Sequence, residues 1–180
     1  DAIVNTTNEE IMQETCVTVT IMKFFYNLNC FTGDSRYADA FERSMYNAFL
    51  GAINTENSIG ILDAEAMKNY PDVLIEPLPF DSYSPLIAGI RGKGTGGMRV
   101  MSDNHYYGCC ACIGAAGNGL IPKMSVLSSK DGLVINLYIS GKIYAKTGTG
   151  NNVTIDIQTE YPKYGDVKIT LEPQCEEEYE

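Results

Sequence analysis

The chain has 180 residues, of which 44% are hydrophobic, so it can bury a sizeable core in one or two domains. Its 13 Lys and Arg residues against 23 Asp and Glu residues give a net charge of −10, which argues against a nucleic-acid partner. No apolar run approaches the roughly 20 residues that cross a bilayer, so the sequence predicts no membrane span.

The first third of the chain predicts two helices. A capping-box pattern and apolar residues at close to the helical period predict a helix over residues 8–28. The stretch TGDSRYADAFERSMYNAFLGA predicts a second helix, with Asp34 or Ser35 as its N-cap and Gly51 as its C-terminal end. The turn between them, residues 29–33, is short enough to make the two helices an antiparallel hairpin.

The rest of the chain predicts β-strands, because prolines and glycines separate short runs of alternating polarity. GLVINLYISGKIYAK predicts a hairpin about Ser140-Gly141, and NNVTIDIQTEYPKYGDVKITLEP predicts a second one. TGTGNN, residues 147–152, predicts a turn between strands. The predicted fold class is therefore α+β, with a helical segment over residues 1–70 and an antiparallel β-sandwich-type region over residues 71–180.

Three of the six cysteines lie together in YYGCCACIGAAG, which we place in a loop of the β-rich region. The six are Cys16, Cys30, Cys109, Cys110, Cys112 and Cys175. A disulfide framework is one interpretation, but a chain of this size is stable without one. Buried structural cysteines are the second, since Cys is among the residues most often buried.

A metal site is the third interpretation of the cysteines. Its other ligands would come from ETC, where Glu14 and Cys16 lie two residues apart. On a helix such residues point roughly 200° apart, so both reach one ion only where the helix begins or is distorted. Spacing alone leaves the three interpretations open.

Two stretches carry a resemblance to a known family. Residues 14–52, ETCVTVTIMKFFYNLNCFTGDSRYADAFERSMYNAFLGA, resemble ETCVTVTWMK…TGDxRYADxxERxxYNALLGA of the β-L-arabinofuranosidase family of glycoside hydrolases and its uncharacterised bacterial relatives. The double cysteine, followed by PKM and SSKDGLVINLYI, resembles a second motif of that family. The resemblance covers most of residues 8–140, and it implies the last helices of an (α/α)₆ barrel followed by β-sandwich material.

The resemblance also implies a zinc ion held by Glu14, Cys16, Cys109 and Cys110. Cys109 matches the nucleophile, which would attack the anomeric carbon of a β-L-arabinofuranoside or related sugar and give net retention. Zinc keeps a thiolate deprotonated at neutral pH, so the assignment is chemically coherent. Cys112 is interpreted as a packing residue.

The general acid/base that a retaining glycosidase needs is not matched in this sequence. In the family that glutamate lies upstream of ETC by a distance that runs past residue 1. Glu9 and Glu10 are better explained by the favourable dipole at a helix start, and His105 as a neutral loop histidine. The chain therefore resembles a C-terminal fragment or truncated member, and we expect it to be inactive alone.

The expected partners are a carbohydrate and, to cover the apolar helix faces, either a second copy of the chain or the missing part of the barrel. A bacterial cytoplasm and a periplasm both suit these features. The main alternative is a non-catalytic carbohydrate-binding or structural β-sandwich module with buried cysteines. A redox or metal-sensing CCxC protein is less well supported, because no fold pattern accompanies the motif.

Overall fold

The computed structural model describes residues 12–53, 83–85, 99–100, 106–107 and 109–175. Within these ranges the chain forms three α-helices and a set of antiparallel strands, so the predicted α+β class is confirmed. The described residues of 1–25 and 40–118 form one compact unit, and those of 26–39 and 119–180 form a second. The predicted domain boundary near residue 70 lies outside the described residues and stays a prediction.

Helix α1 (Thr15–Thr32) begins later in the sequence than predicted. Residues 12–14 are not helical: they form strand β1 (Met12–Glu14), which pairs antiparallel with β2 (Tyr83–Pro85). The prediction is wrong here because this pairing joins residues distant in sequence, which a local apolar period does not reveal. Residues 8–11, and with them the predicted helix start, lie outside the described residues.

Helix α1 ends at a glycine cap, four residues beyond the predicted end. Gly33 has a φ of 66°, and its backbone N–H donates to the carbonyl of Asn29 at 2.8 Å. This is the left-handed cap that glycine forms at no steric cost. Asp34 then caps helix α2 (Ser35–Arg43) as predicted, since its Oδ1 accepts a hydrogen bond from the backbone N–H of Arg36 at 3.0 Å.

Helix α2 continues directly into a π-helical segment, Ser44–Phe49. Phe41, Met45 and Phe49 of the predicted apolar stripe are fully buried. The apolar face of this second helix is therefore covered within the chain. π-Helical turns are uncommon and often lie near functional sites.

Helix α1 carries an apolar strip that remains exposed. Val17, Ile21 and Phe24 are exposed, whereas Val19 and Met22, on the other side of the helix, are buried. For this helix the expectation of an apolar face without neighbours is fulfilled. Exposed apolar patches of this kind commonly mark interaction surfaces.

The double cysteine lies at the start of helix α3 (Cys109–Ser125), so its predicted placement in a loop is wrong. The first half of the segment has only one large apolar residue, Ile113, because the others lie from Leu120 onward. Its buried face instead includes Gly114 and Gly117, so the helix packs through small residues. A periodicity search for large side chains therefore misses it.

The remaining strands form antiparallel pairs. In the first unit β3 (Arg99–Val100) pairs with β4 (Tyr106–Tyr107). In the second unit β5 (Val126–Ser128) pairs with β6 (Leu133–Ile135). Strands β7 (Gly141–Lys146), β8 (Asn152–Thr159) and β9 (Val167–Pro173) form a three-stranded sheet in that order.

This pairing confirms two sequence predictions and corrects one. The hairpin of β8 and β9 and the turn over residues 147–152 are as predicted. The hairpin about Ser140-Gly141 is wrong, because β6 pairs with β5 while β7 pairs with β8. Ser140 is tied to β8 instead: its Oγ donates to the carbonyl of Thr159 and accepts from that residue's backbone N–H.

The core of the second unit lies between the two layers of strands. Val153, Ile155 and Ile157 alternate along β8 and are buried on one face of the sheet. Val126, Leu133 and Ile135 of the β5–β6 pair pack against them, as a sandwich-type arrangement requires. Burying such a side chain fully contributes about 1.5–3 kcal/mol.

Among the described residues, the helices are too short or too polar to traverse a bilayer.

Candidate metal centre

Three of the four predicted ligands converge in the first unit. A carboxylate oxygen of Glu14 and the Sγ atoms of Cys16 and Cys110 all lie within 4.8 Å of one another. The two sulfur atoms are 3.3 Å apart, although the residues are separated by 94 positions in sequence. Groups this close can share one ion. Cys109 is the first residue of α3, and its side chain lies outside the described part of the structure.

The backbone around ETC removes the geometric difficulty of its two-residue spacing. Glu14 is the last residue of β1 and Cys16 is the second residue of α1, so the helix begins between them. In a continuous helix their side chains would diverge by roughly 200°. Because the chain changes from strand to helix between them, the side chains of Glu14 and Cys16 can both reach one ion.

Two threonines in the next turn of α1 fix this junction. Thr18 Oγ1 donates to the carbonyl of Glu14 at 3.1 Å, and Thr20 Oγ1 donates to the carbonyl of Cys16 at 2.7 Å. Each bond links a residue to the fourth one before it, a common use of Thr in a helix. The spacing is visible in ETCVTVT, where it could have indicated this role for the two threonines.

Both sulfur atoms belong to residues at the N-terminal ends of helices. Cys110 is buried and Cys16 is half-buried, and each is the second residue of a long helix. The N-terminal end of a helix carries a partial positive charge that stabilises negative groups within the first turn. Two sulfur donors and one carboxylate oxygen are compatible with a divalent metal that accepts soft ligands.

An apolar concavity of about 450 Å³ opens beside Cys16. It is lined by Cys16, Val17, Thr20, Ile21 and Phe24, all from α1. Its volume falls within the range of small-molecule sites. The exposed strip of α1 and Cys16 therefore share one surface of the first unit.

The other cysteines of the described structure do not join the group. Cys30, Cys112 and Cys175 are exposed thiols outside the ligand group. The interpretation of Cys112 as a packing residue is therefore wrong, because the exposed side of α3 carries it. The five described cysteines form no disulfide. Glu9, Glu10 and His105 lie outside the described residues.

Comparison with known proteins points to one family. Residues 1–61 match the sequence model described as the β-L-arabinofuranosidase GH127 catalytic domain. The structure is similar to the crystal structure of a GH127 β-L-arabinofuranosidase from Geobacillus stearothermophilus T6, with a TM-score of 0.60 and 20% sequence identity. That match covers 94% of this chain and 24% of the enzyme, so the chain spans about a quarter of that protein's length. A search of curated proteins finds none that matches.

At this level of identity the structural likeness establishes a shared fold, while the sequence match is confined to the segment that contains ETC. The two findings agree with each other and with the motifs of the sequence. The predicted resemblance of this chain to the β-L-arabinofuranosidase family of glycoside hydrolases is thereby confirmed.

Proposed function

We propose that this chain carries the metal-binding part of a retaining glycoside hydrolase that acts on β-L-arabinofuranosides or related sugars. The observation that carries the proposal is the approach of Glu14, Cys16 and Cys110 to within 4.8 Å of one another. These ligand groups come from ETC and from the double cysteine, the two motifs of the family resemblance. A cysteine buried only for packing would not be expected to lie beside a carboxylate from the other motif.

Zinc is the metal that suits this donor set. Structural and catalytic zinc sites use thiolate and carboxylate ligands in tetrahedral geometry, whereas calcium and magnesium prefer oxygen alone. Cys109, adjacent to Cys110 at the start of α3, would supply the fourth ligand. When bound, zinc holds its thiolate ligands in the deprotonated form.

Cys109 is the proposed nucleophile. Its position at the N-terminus of α3 places it where the helix dipole favours the thiolate. The thiolate would form a bond to the anomeric carbon while the bond to the leaving oxygen breaks and that oxygen receives a proton from the general acid. Water would then cleave the thioglycosyl bond, with the conjugate base taking the proton, and two inversions give net retention.

The acid/base residue is proposed to lie outside these 180 residues, and the chain alone is then inactive. The chain covers only 24% of the similar enzyme, which leaves room for a missing catalytic group. The exposed strip of Val17, Ile21 and Phe24 would be covered by barrel helices from the same missing part. Hydrolysis of an aryl β-L-arabinofuranoside by the purified chain would contradict this part of the proposal.

Metal analysis of the purified chain is the decisive experiment. We expect about one zinc per chain, as a single tetrahedral site requires, and its loss in Cys110→Ser. Cys112→Ser is the matched control, because this thiol lies in the same first turns of α3 but is exposed and outside the ligand group. A folded, metal-free wild-type chain, or full zinc retention by Cys110→Ser, would overturn the site assignment.

The non-catalytic alternative is less well supported. It requires the cysteines to serve as core residues, yet Cys30, Cys112 and Cys175 are exposed. A packing role for buried Cys110 would instead predict that zinc does not bind and that Cys110→Ala lowers the free energy of unfolding. The metal analysis therefore also separates the two candidate functions.

A further inference from the structure

Gly117 lies where α3 approaches its neighbours in the first unit closely. A Cβ atom built on Gly117 would lie 2.5 Å from Cε2 and 2.8 Å from Cζ of Phe49. It would also lie 2.8 Å from Cγ2 of Val19 on α1. These separations are well inside van der Waals contact, so this position has no room even for a methyl group.

The neighbours of Gly117 have little freedom to move aside. Phe49 is 0% exposed and Val19 is 2% exposed. Val19 is also β-branched, which restricts its side chain to few rotamers in a helix. Phe49 is the last residue of the π-helical segment, whose wider turn sets the position of its ring. An added methyl group would therefore displace α3 itself, because close-packed interiors transmit strain.

The same contact lies next to the thiols in both helices. Cys110 precedes Gly117 by seven residues, which places both on one face of α3 two turns apart. Cys16 precedes Val19 by three residues, which places it one turn away on α1. The separation of the two helices at Gly117 therefore bears directly on the 3.3 Å between the sulfur atoms of Cys16 and Cys110.

We propose that Gly117 is a positioning residue for the metal centre: its missing side chain sets the approach of α3 to α1 and so the distance between the two thiols. The inference rests on the proposed function, in which these thiols bind zinc. Metal sites tolerate ligand displacements of about 0.2 Å, so a shift of a few tenths of an ångström at this contact weakens binding.

Gly117→Ala tests the inference, with Gly119→Ala as the matched control. Both glycines lie on α3, but a Cβ at Gly119 meets nothing within 4 Å. Zinc affinity would be measured by competition with a chromophoric chelator, and ligand geometry by the absorption spectrum of the cobalt-substituted protein. We expect Gly117→Ala to bind zinc about 10–100-fold more weakly, as supporting residues of metal sites commonly do, and to alter the cobalt spectrum. Gly119→Ala should match the wild type in both.

A rescue variant separates positioning from general packing. Phe49→Leu removes the two ring atoms that clash with the added Cβ, so Gly117→Ala/Phe49→Leu should bind zinc more tightly than Gly117→Ala. Wild-type affinity in Gly117→Ala would overturn the inference, as would loss of its helical circular dichroism together with metal binding. Failure of the rescue would also overturn it. A wild-type chain that binds no zinc would instead refute the proposed function.

Discussion

Asn136 and Asn29 are joined by a side-chain hydrogen bond across 107 residues of sequence: Nδ2 of Asn136 donates to Oδ1 of Asn29 at 3.2 Å. Asn29 is 4% exposed, and its own Nδ2 donates to the carbonyl of Asp34 at 3.1 Å. One buried amide thus holds the end of α1, the start of α2 and the segment after β6. Its hydrogen bonds are formed where water does not compete.

Asn29→Ala should lower the free energy of unfolding by about 1–3 kcal/mol, because it leaves the half-buried polar groups of Asn136 and Asp34 unsatisfied. Asn47→Ala is the control: Asn47 also donates to a backbone carbonyl, that of Arg43, but it is exposed. Its effect should stay within about 0.5 kcal/mol. Urea unfolding followed by circular dichroism gives both free energies. Equal decreases in the two variants would show that the buried amide stabilises the chain no more than the exposed one.

Gly148, like Gly117, should not tolerate a side chain, but here the added Cβ would contact backbone atoms instead of side-chain atoms. A Cβ on Gly148 would lie 2.5 Å from the carbonyl oxygen of Ser129 and 2.8 Å from that of Lys130. These are backbone atoms, which yield less readily than the end of a flexible side chain. Gly148→Ala should cost about 1–3 kcal/mol of unfolding free energy, as overpacking does. Gly165→Ala, where a Cβ meets nothing within 4 Å, should show no comparable loss in the same urea titration.

The stability of the chain should depend on pH through Asp34. Hydrogen bonds from the Arg36 side chain, one of them from Nη2 at 2.6 Å, lower the pKa of the Asp34 carboxyl. Because the folded pKa lies below the unfolded one, the stabilisation is complete above the ordinary carboxyl pKa and is lost as pH falls through the folded value. The pair is exposed, so the effect is small and weakens with salt.

Asp34→Asn isolates this charge, since Asn also caps a helix well. The wild type should have the higher melting temperature near pH 7, and the difference should vanish in strong acid. Melting curves at a series of pH values measure it. A difference that stays constant with pH would mean that the carboxylate charge is not its source.

The thiols of Cys16 and Cys110 should form a disulfide in the metal-free chain. Their 3.3 Å separation must fall to about 2.05 Å for the bond, a small movement. With diamide as oxidant, the two thiols lose two hydrogens to the azo group as the sulfur–sulfur bond forms. Peptide mass spectrometry should find Cys16 linked to Cys110, and bound zinc should suppress the link. Preferential linkage through exposed Cys112 would contradict the geometry.

Local signals in the sequence predict several elements well, because the determinants lie within a few residues. The Asp34 cap, the stripe ending at Phe49 and the β8–β9 hairpin are of this kind. Predictions fail where contacts between residues distant in sequence determine the local structure. Pairing with residues 83–85 turns 12–14 into a strand, and the tie from Ser140 to β8 replaces the expected hairpin.

The candidate site depends both on local sequence signals and on contacts between residues that are distant in sequence. The motifs predict Glu14, Cys16 and Cys110 as metal ligands, but only the strand-to-helix junction explains how the side chains of Glu14 and Cys16 come together. The helix that carries Cys110 is not predicted, because its first half buries glycines at positions where large apolar residues would mark a helix. The π-helical segment before Leu50 has no sequence signal that we recognise.

Metal binding at this site would close a loop of 94 residues, the interval between Cys16 and Cys110. Joining the ends of so long a loop costs about 4.7 kcal/mol of chain entropy in the unfolded state, a cost that the folded chain has already met. Zinc would therefore bind the finished fold far better than any partial one. Retained metal would serve as a readout that the segment from ETC to the double cysteine has folded correctly.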